Sequence, residues 1–148
     1  MKNLRSLLML VLIVGLAGCQ TLSKPATTGE NAPLYQALGE RSGIATIVTD
    51  LMYRIVDDKR IAFQFKGLDV TRFHQNLTDQ ICALANGPCT YTGKDMREVH
   101  SAMDITATQF NALVEDLILA MEANKVPTDA QNELLAKLAP MYDDVRNQ

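Results

Sequence analysis

With 148 residues, 47% of them hydrophobic, the chain is long enough for one core and too short for two domains of ordinary size. Its formal charge is −3, and −5 once Lys2 and Arg5 are set aside, so no basic excess exists to attract nucleic acid, and no nucleic-acid partner is expected. Three cysteines and two histidines leave few places for metal or redox chemistry.

Lys2 and Arg5 precede an uncharged run from Leu7 to Ala17, which reads as a targeting segment. About eleven apolar residues fall short of the roughly 20 that a spanning helix needs. The run ends in Leu16-Ala17-Gly18-Cys19, which resembles a bacterial lipobox, whose cysteine is acylated and becomes the first residue of the mature chain. The resemblance implies a lipoprotein signal over residues 1–18, lipidation at Cys19 and membrane attachment through acyl chains, each buried methylene contributing about 0.8 kcal/mol. Gln20, where Asp would mark retention, points to the outer membrane facing the periplasm. Residues 19–32, rich in Ser, Thr, Pro and Gly, read as a flexible tether, and residues 33–148 as the folded domain.

Within that domain Ile44, Ile47, Val48, Leu51, Met52 and Ile55 recur at helical spacing, and Ser42 is the expected cap. A second stripe, Val70, Phe73, Leu77, Ile81 and Leu84, starts after Asp69 and stops at Asn86-Gly87-Pro88. Cys82 lies on that helix and Cys89 in the loop beyond. In an oxidising compartment the pair either closes a small loop or remains one buried and one exposed thiol. From Cys89 to Asp104 runs a long connection with only a short helical pattern, Met96 to Met103, and connections of that length usually serve function. Capping boxes at Thr106 with Gln109 and at Thr128 with Gln131 announce two more helices, the last of which Pro140 should kink. No segment alternates apolar and polar residues in the manner of a strand, so the domain is read as all-α.

His100 sits in the long connection among Met96, Val99, Met103 and Ile105. An imidazole there is either a hydrogen-bonded structural residue or the ligand of something flat and apolar. No His-Glu-x-x-His, zinc-spaced cysteine pair, Cys-x-x-Cys-His, nucleophile elbow or phosphate loop appears.

The segment Tyr91-Thr92-Gly93-Lys94-Asp95-Met96-Arg97-Glu98-Val99-His100 resembles the proximal segment of the group 1 truncated haemoglobins. Leu34-Tyr35-x-x-Leu38-Gly39, then Arg54-Ile55-Val56 with Ile61-Ala62-Phe63-Gln64-Phe65, and Ile105-Thr106-x-x-x-Phe110 follow in the same ungapped register. The resemblance implies a two-over-two helical sandwich around haem b (iron protoporphyrin IX). His100 would be the iron ligand and Phe65 the stacking ring, with Met96, Val99, Ile105, Phe110 and Leu113 lining the proximal side.

On the opposite, distal side the chain departs from the family. Met52 stands where a tyrosine is usual, Tyr53 follows about 100° around the helix, and Phe73 and Leu77 replace frequent glutamines. His74, beside Phe73, is expected to point away. The resemblance implies a protein that binds a diatomic gas (oxygen, nitric oxide or carbon monoxide), for transport or sensing at the cell envelope. The alternatives are a nitric oxide dioxygenase or peroxide-handling haem enzyme, and a haemless helical adaptor lipoprotein.

Overall fold

The computed structural model describes residues 28–146, and among these all regular structure is helical. The lipobox cysteine, Cys19, and most of the tether lie outside the described residues. None of the described helices is long and apolar enough to cross a membrane.

A short helix α1 (Pro33–Ala37) opens on a proline at its first position, where a missing N–H costs nothing. It leads to α2 (Glu40–Asp57), which buries Ile44, Ile47, Val48, Leu51 and Ile55. This helix starts before the expected cap: Gly39, at φ 79°, is the residue ahead of its first turn, and the Ser42 hydroxyl donates to the Gly39 carbonyl instead. A positive φ suits glycine, which lacks the Cβ that would clash.

A 3₁₀ turn (Ala62–Phe65) then connects to α3 (Val70–Leu84), capped by Asp69, whose carboxylate accepts from the Arg72 amide at 3.0 Å. The five-residue α4 (Met96–His100) is likewise capped, by Asp95 on the Glu98 amide at 2.8 Å. It ends at His100 rather than running on to Met103, because Ala102 and Asp104 take left-handed backbone, with φ of 64° and 49°. Helix α5 (Ala107–Ala123) carries the full capping box, Thr106 and Gln109 each bonding the other's backbone amide.

The second expected box does not form. In α6 (Thr128–Leu138) Thr128 is already inside the helix, Pro127 precedes it, and the Gln131 amide donates to the Val126 carbonyl at 2.9 Å. Proline fixes its own φ and leaves the chain extended just where a cap belongs, so the helix starts without a side-chain acceptor. Pro140 does interrupt the C-terminal stripe: a 3₁₀ turn (Ala139–Met141) separates α6 from α7 (Tyr142–Val145).

Helix α2 packs most heavily on α3 and α5, and α4 on α7. Leu38, Leu51, Ile81, Met121 and Leu134, from five different segments, meet in one core, and Phe65, Phe73, Leu77 and Leu113 pack against it from the half-buried shell. The architecture is all-α among the described residues.

Candidate functional site

Between α2, the Phe65 turn and the first half of α3 lies a cavity of about 520 Å³. Its walls include Met52, Ile55, Val56, Phe65, Val70 and Phe73. The i, i+4 spacing of Met52 and Val56 puts both on one side of α2. Phe65 and Phe73 meet edge to face with centroids 5.6 Å apart, so two apolar rings form a corner of the cavity. Tyr53 also borders it, at 71% exposure. Val56 and Val70 entered the sequence reading as part of a family motif and of the α3 stripe and not as site residues, and Leu68 did not enter it; the place of Val70 three residues before Phe73 was the signal for it.

His74 borders the cavity but is engaged elsewhere. Its Nε2 lies 3.0 Å from the Ala45 carbonyl and 3.1 Å from Thr49 Oγ1, and the Thr49 hydroxyl itself donates to Ala45. Both neighbours therefore accept, and Nε2 carries the hydrogen.

His100 is half-buried at the end of α4. Its Nδ1 lies 2.8 Å from the Met96 carbonyl, one turn back. A carbonyl only accepts, so Nδ1 is the donor and Nε2 keeps its lone pair free for a metal, the arrangement that second-shell bonds impose on ligating histidines. The backbone around this imidazole is held from three sides. Arg97 pairs with Asp144 of α7 at 2.7 Å, the Gln80 amide reaches Met96 Sδ at 3.3 Å, and the Gln64 amide donates to the Met103 carbonyl at 3.5 Å. The last of these ties the Phe65 turn to the residue three beyond His100. Ile105 is buried, Leu113 packs on the core, Phe110 stacks edge to face on Tyr142 at 4.8 Å, and Val99 is 44% exposed.

Cys82 and Cys89 are joined in a disulfide, Cα atoms 5.8 Å apart, which closes the loop leading from α3 toward α4. Gly87 sits inside that loop with no room for a side chain: a Cβ would come within 2.5 Å of the Tyr35 ring and 2.8 Å of Cys82 Sγ.

Electrostatics concentrate away from the cavity. Arg60 joins Asp58 at 2.7 Å to Glu115 on α5 at 2.6 Å, and the Arg60 guanidinium holds the Asp58 carboxyl below its usual range. Asp116, at 6% exposure, has one carboxylate oxygen buried without a hydrogen-bond partner, and burial, reinforced by the nearby Asp58, pushes its pKa up. Among the described residues no cluster of three or more His, Cys, Asp or Glu is placed to hold a metal ion.

Residues 33–147 match the bacterial-like globin family. The chain is 27% identical over 116 residues to a group 1 truncated haemoglobin of Mycolicibacterium paratuberculosis, covering 78% of this chain and 85% of the relative. It is 28% identical over 112 residues to one from Tetrahymena pyriformis, covering 76% and 88%. The crystal structure of the Tetrahymena pyriformis truncated haemoglobin in its Fe(III) form superimposes with a TM-score of 0.75 at 25% identity, over 78% of this chain and 98% of the other. That protein was also solved with a tyrosine replaced, and with each of two glutamines replaced. Those three positions are spaced by 21 and then 4 residues, the spacing here of Met52, Phe73 and Leu77.

Proposed function

From a chain that belongs to the bacterial-like globin family and is a group 1 truncated haemoglobin, we propose a function: it holds haem b through His100 and binds a diatomic gas reversibly at the cell envelope. One observation carries the reading. The His100 imidazole donates from Nδ1 to the Met96 carbonyl, which presents the other ring nitrogen as a free donor pair on a helix anchored to α3 and α7. The apolar cavity, with the Phe65 ring in its wall, suits a large flat apolar group on which Phe65 would stack; His100 is not among the residues that line it, and lies in the segment that Gln64 ties to the Phe65 turn. When bound, haem supplies an iron that takes the imidazole on one side and a small diatomic molecule on the other.

The chain's own residues would set which gas stays. Dioxygen gains partial negative charge on binding, and a distal hydrogen bond to it is worth roughly 1 to 3 kcal/mol, or about 5- to 150-fold in affinity. Met52, Phe73 and Leu77 offer no donor, and the His74 ring nitrogen that carries hydrogen is committed to Ala45 and Thr49. Oxygen should therefore leave quickly, while carbon monoxide and nitric oxide, less polar when bound, lose less. Retention as slow as in a tyrosine and glutamine pocket would count against this. Placement at the envelope rests on the Leu16-Ala17-Gly18-Cys19 sequence, with lipid on Cys19 as the membrane contact.

The test is the ultraviolet-visible spectrum of the purified chain in ferric, ferrous and carbonyl forms, beside His100→Ala. We expect a Soret band that the variant loses or shifts. A folded chain that stays colourless with ample haem would leave only the helical adaptor reading.

A further inference from the structure

We propose that the rim of the cavity, formed by the end of α2, the Phe65 turn and the start of α3, docks on an anionic lipid bilayer; this rests on the envelope placement above. Of the seven large hydrophobic side chains exposed among the described residues, five fall between positions 53 and 70: Tyr53, Val56, Phe63, Leu68 and Val70. All but Phe63 border the same cavity, so they share a surface. Val56 and Val70 are 74% and 60% exposed. Single exposed apolar residues are ordinary, whereas a group of them around a concavity marks an interaction site.

Charge selects the partner. From Tyr53 to Arg72 stand five Lys and Arg against three Asp, in a chain whose formal charge is −3. Asp58 is paired with Arg60, and Asp69 accepts from the Arg72 amide and lies 3.9 Å from its guanidinium, while Asp57 is exposed. Lys59 and Lys66 are exposed, and no ion pair among the described residues holds either ammonium. Apolar side chains for hydrocarbon and ammonium groups for phosphate are the two halves of an interfacial site. The Tyr53 ring, apolar with a polar tip, suits the headgroup level between them.

The chain ahead of the fold permits the pose. The Gly29 amide donates to the Asn86 carbonyl at 2.7 Å, just beyond the end of α3, whereas the rim lies at the start of that helix. Its 15 residues make α3 about 22 Å long. The ten residue steps from Cys19 to Gly29 extend to at most about 35 Å. Lipid on Cys19 can therefore enter the same bilayer that the rim touches, and the tether makes docking an intramolecular event.

The experiment places the full chain, isolated with its lipid, on vesicles of phosphatidylcholine alone or mixed with phosphatidylglycerol. With Cys82 bridged to Cys89 and Cys19 acylated, Leu68→Cys on the rim or Leu119→Cys on α5 supplies the free thiol, both positions being exposed. Its reaction with a membrane-impermeant maleimide is timed. A rim docked about nine-tenths of the time slows reaction at position 68 about tenfold on the anionic vesicles, while position 119 reacts as it does in solution. Lys59→Gln with Lys66→Gln lowers the docking equilibrium about 30-fold and restores most of the rate. Unslowed reaction at position 68 on vesicles that carry the chain overturns the proposal and leaves the envelope placement intact. Slowing that persists in the lysine variant, or is as large on phosphatidylcholine alone, overturns the anionic partner. Slowing that needs no vesicles and grows with chain concentration assigns the rim to a second copy and overturns the proposal as well. A chain that carries no lipid and binds neither vesicle overturns the envelope placement and this proposal with it.

Discussion

Opening the Cys82 to Cys89 bridge should cost the domain about 10 °C of thermal stability. The magnitude follows from the loop. A sequence separation of seven is short, and the chain-entropy relation for a closed loop of that size gives about 2.4 kcal/mol at 25 °C. The globin segment spans residues 33–147, and roughly 2.1 cal/mol/K of unfolding entropy per residue gives about 240 cal/mol/K. Dividing one by the other gives about 10 °C. Reduction of the unmodified chain is the cleaner perturbation, because Cys82 is fully buried and replacing it also removes core contacts. Circular dichroism melts with and without reductant, with thiol counting to confirm that the bridge has opened, provide the comparison; Cys89→Ser should reproduce the reduced value. A shift under about 3 °C would refute the loop-entropy reasoning. The same bridge anchors the segment that runs on to α4, so the reduced chain should also surrender haem to an acceptor faster than the oxidised one.

Asp116→Asn should stabilise the fold at neutral pH by on the order of 1 kcal/mol, since it replaces a buried carboxylate oxygen that lacks a partner. The sign follows from linkage. The folded pKa lies above the ordinary 3.8, so the protonated form is favoured; its stability is full below 3.8 and is lost as pH rises through the folded value. Urea melts across that window should slope for the parent and flatten for the variant, and parallel slopes would contradict the assignment. Gly87→Ala should cost about 1 to 3 kcal/mol, because the new methyl would press on Tyr35 and Cys82, and an unchanged denaturation midpoint would show that the loop yields freely. Thr106→Ala should cost roughly 0.5 to 2 kcal/mol by removing half of the α5 capping box, read from the same melts.

The parts of this fold legible in the sequence are those governed by local periodicity. The stripes from Ile44 to Ile55 and from Val70 to Leu84 became α2 and α3 because a one-sided apolar helix has one way to bury itself. Starts were less legible where several residues competed for one role. Ser42 and Thr128 both have capping chemistry, yet Gly39 and Pro127 stand at the helix starts, since backbone geometry decides before a hydroxyl is placed. Contacts across the fold had no local signature. Nothing around Gln80 announces that its amide will sit between two sulfurs, or around Asp116 that it will be buried near Asp58 and Arg60.

His100 shows how the two kinds of information combine. Its sequence neighbourhood allowed a structural histidine or a ligand, and only a match of many residues in register favoured the second. The hydrogen bond from Nδ1 to Met96 sets the tautomer in which Nε2 keeps its lone pair, the state that the proposed ligand role needs. A second feature is how firmly the segment is held. A five-residue helix is too short to hold its own shape, and this one is capped by Asp95, pinned by Arg97 to Asp144 and preceded by a disulfide-closed loop. That fixing is what the proposed ligand role calls for, because a nitrogen that is to meet a metal must be held in one direction.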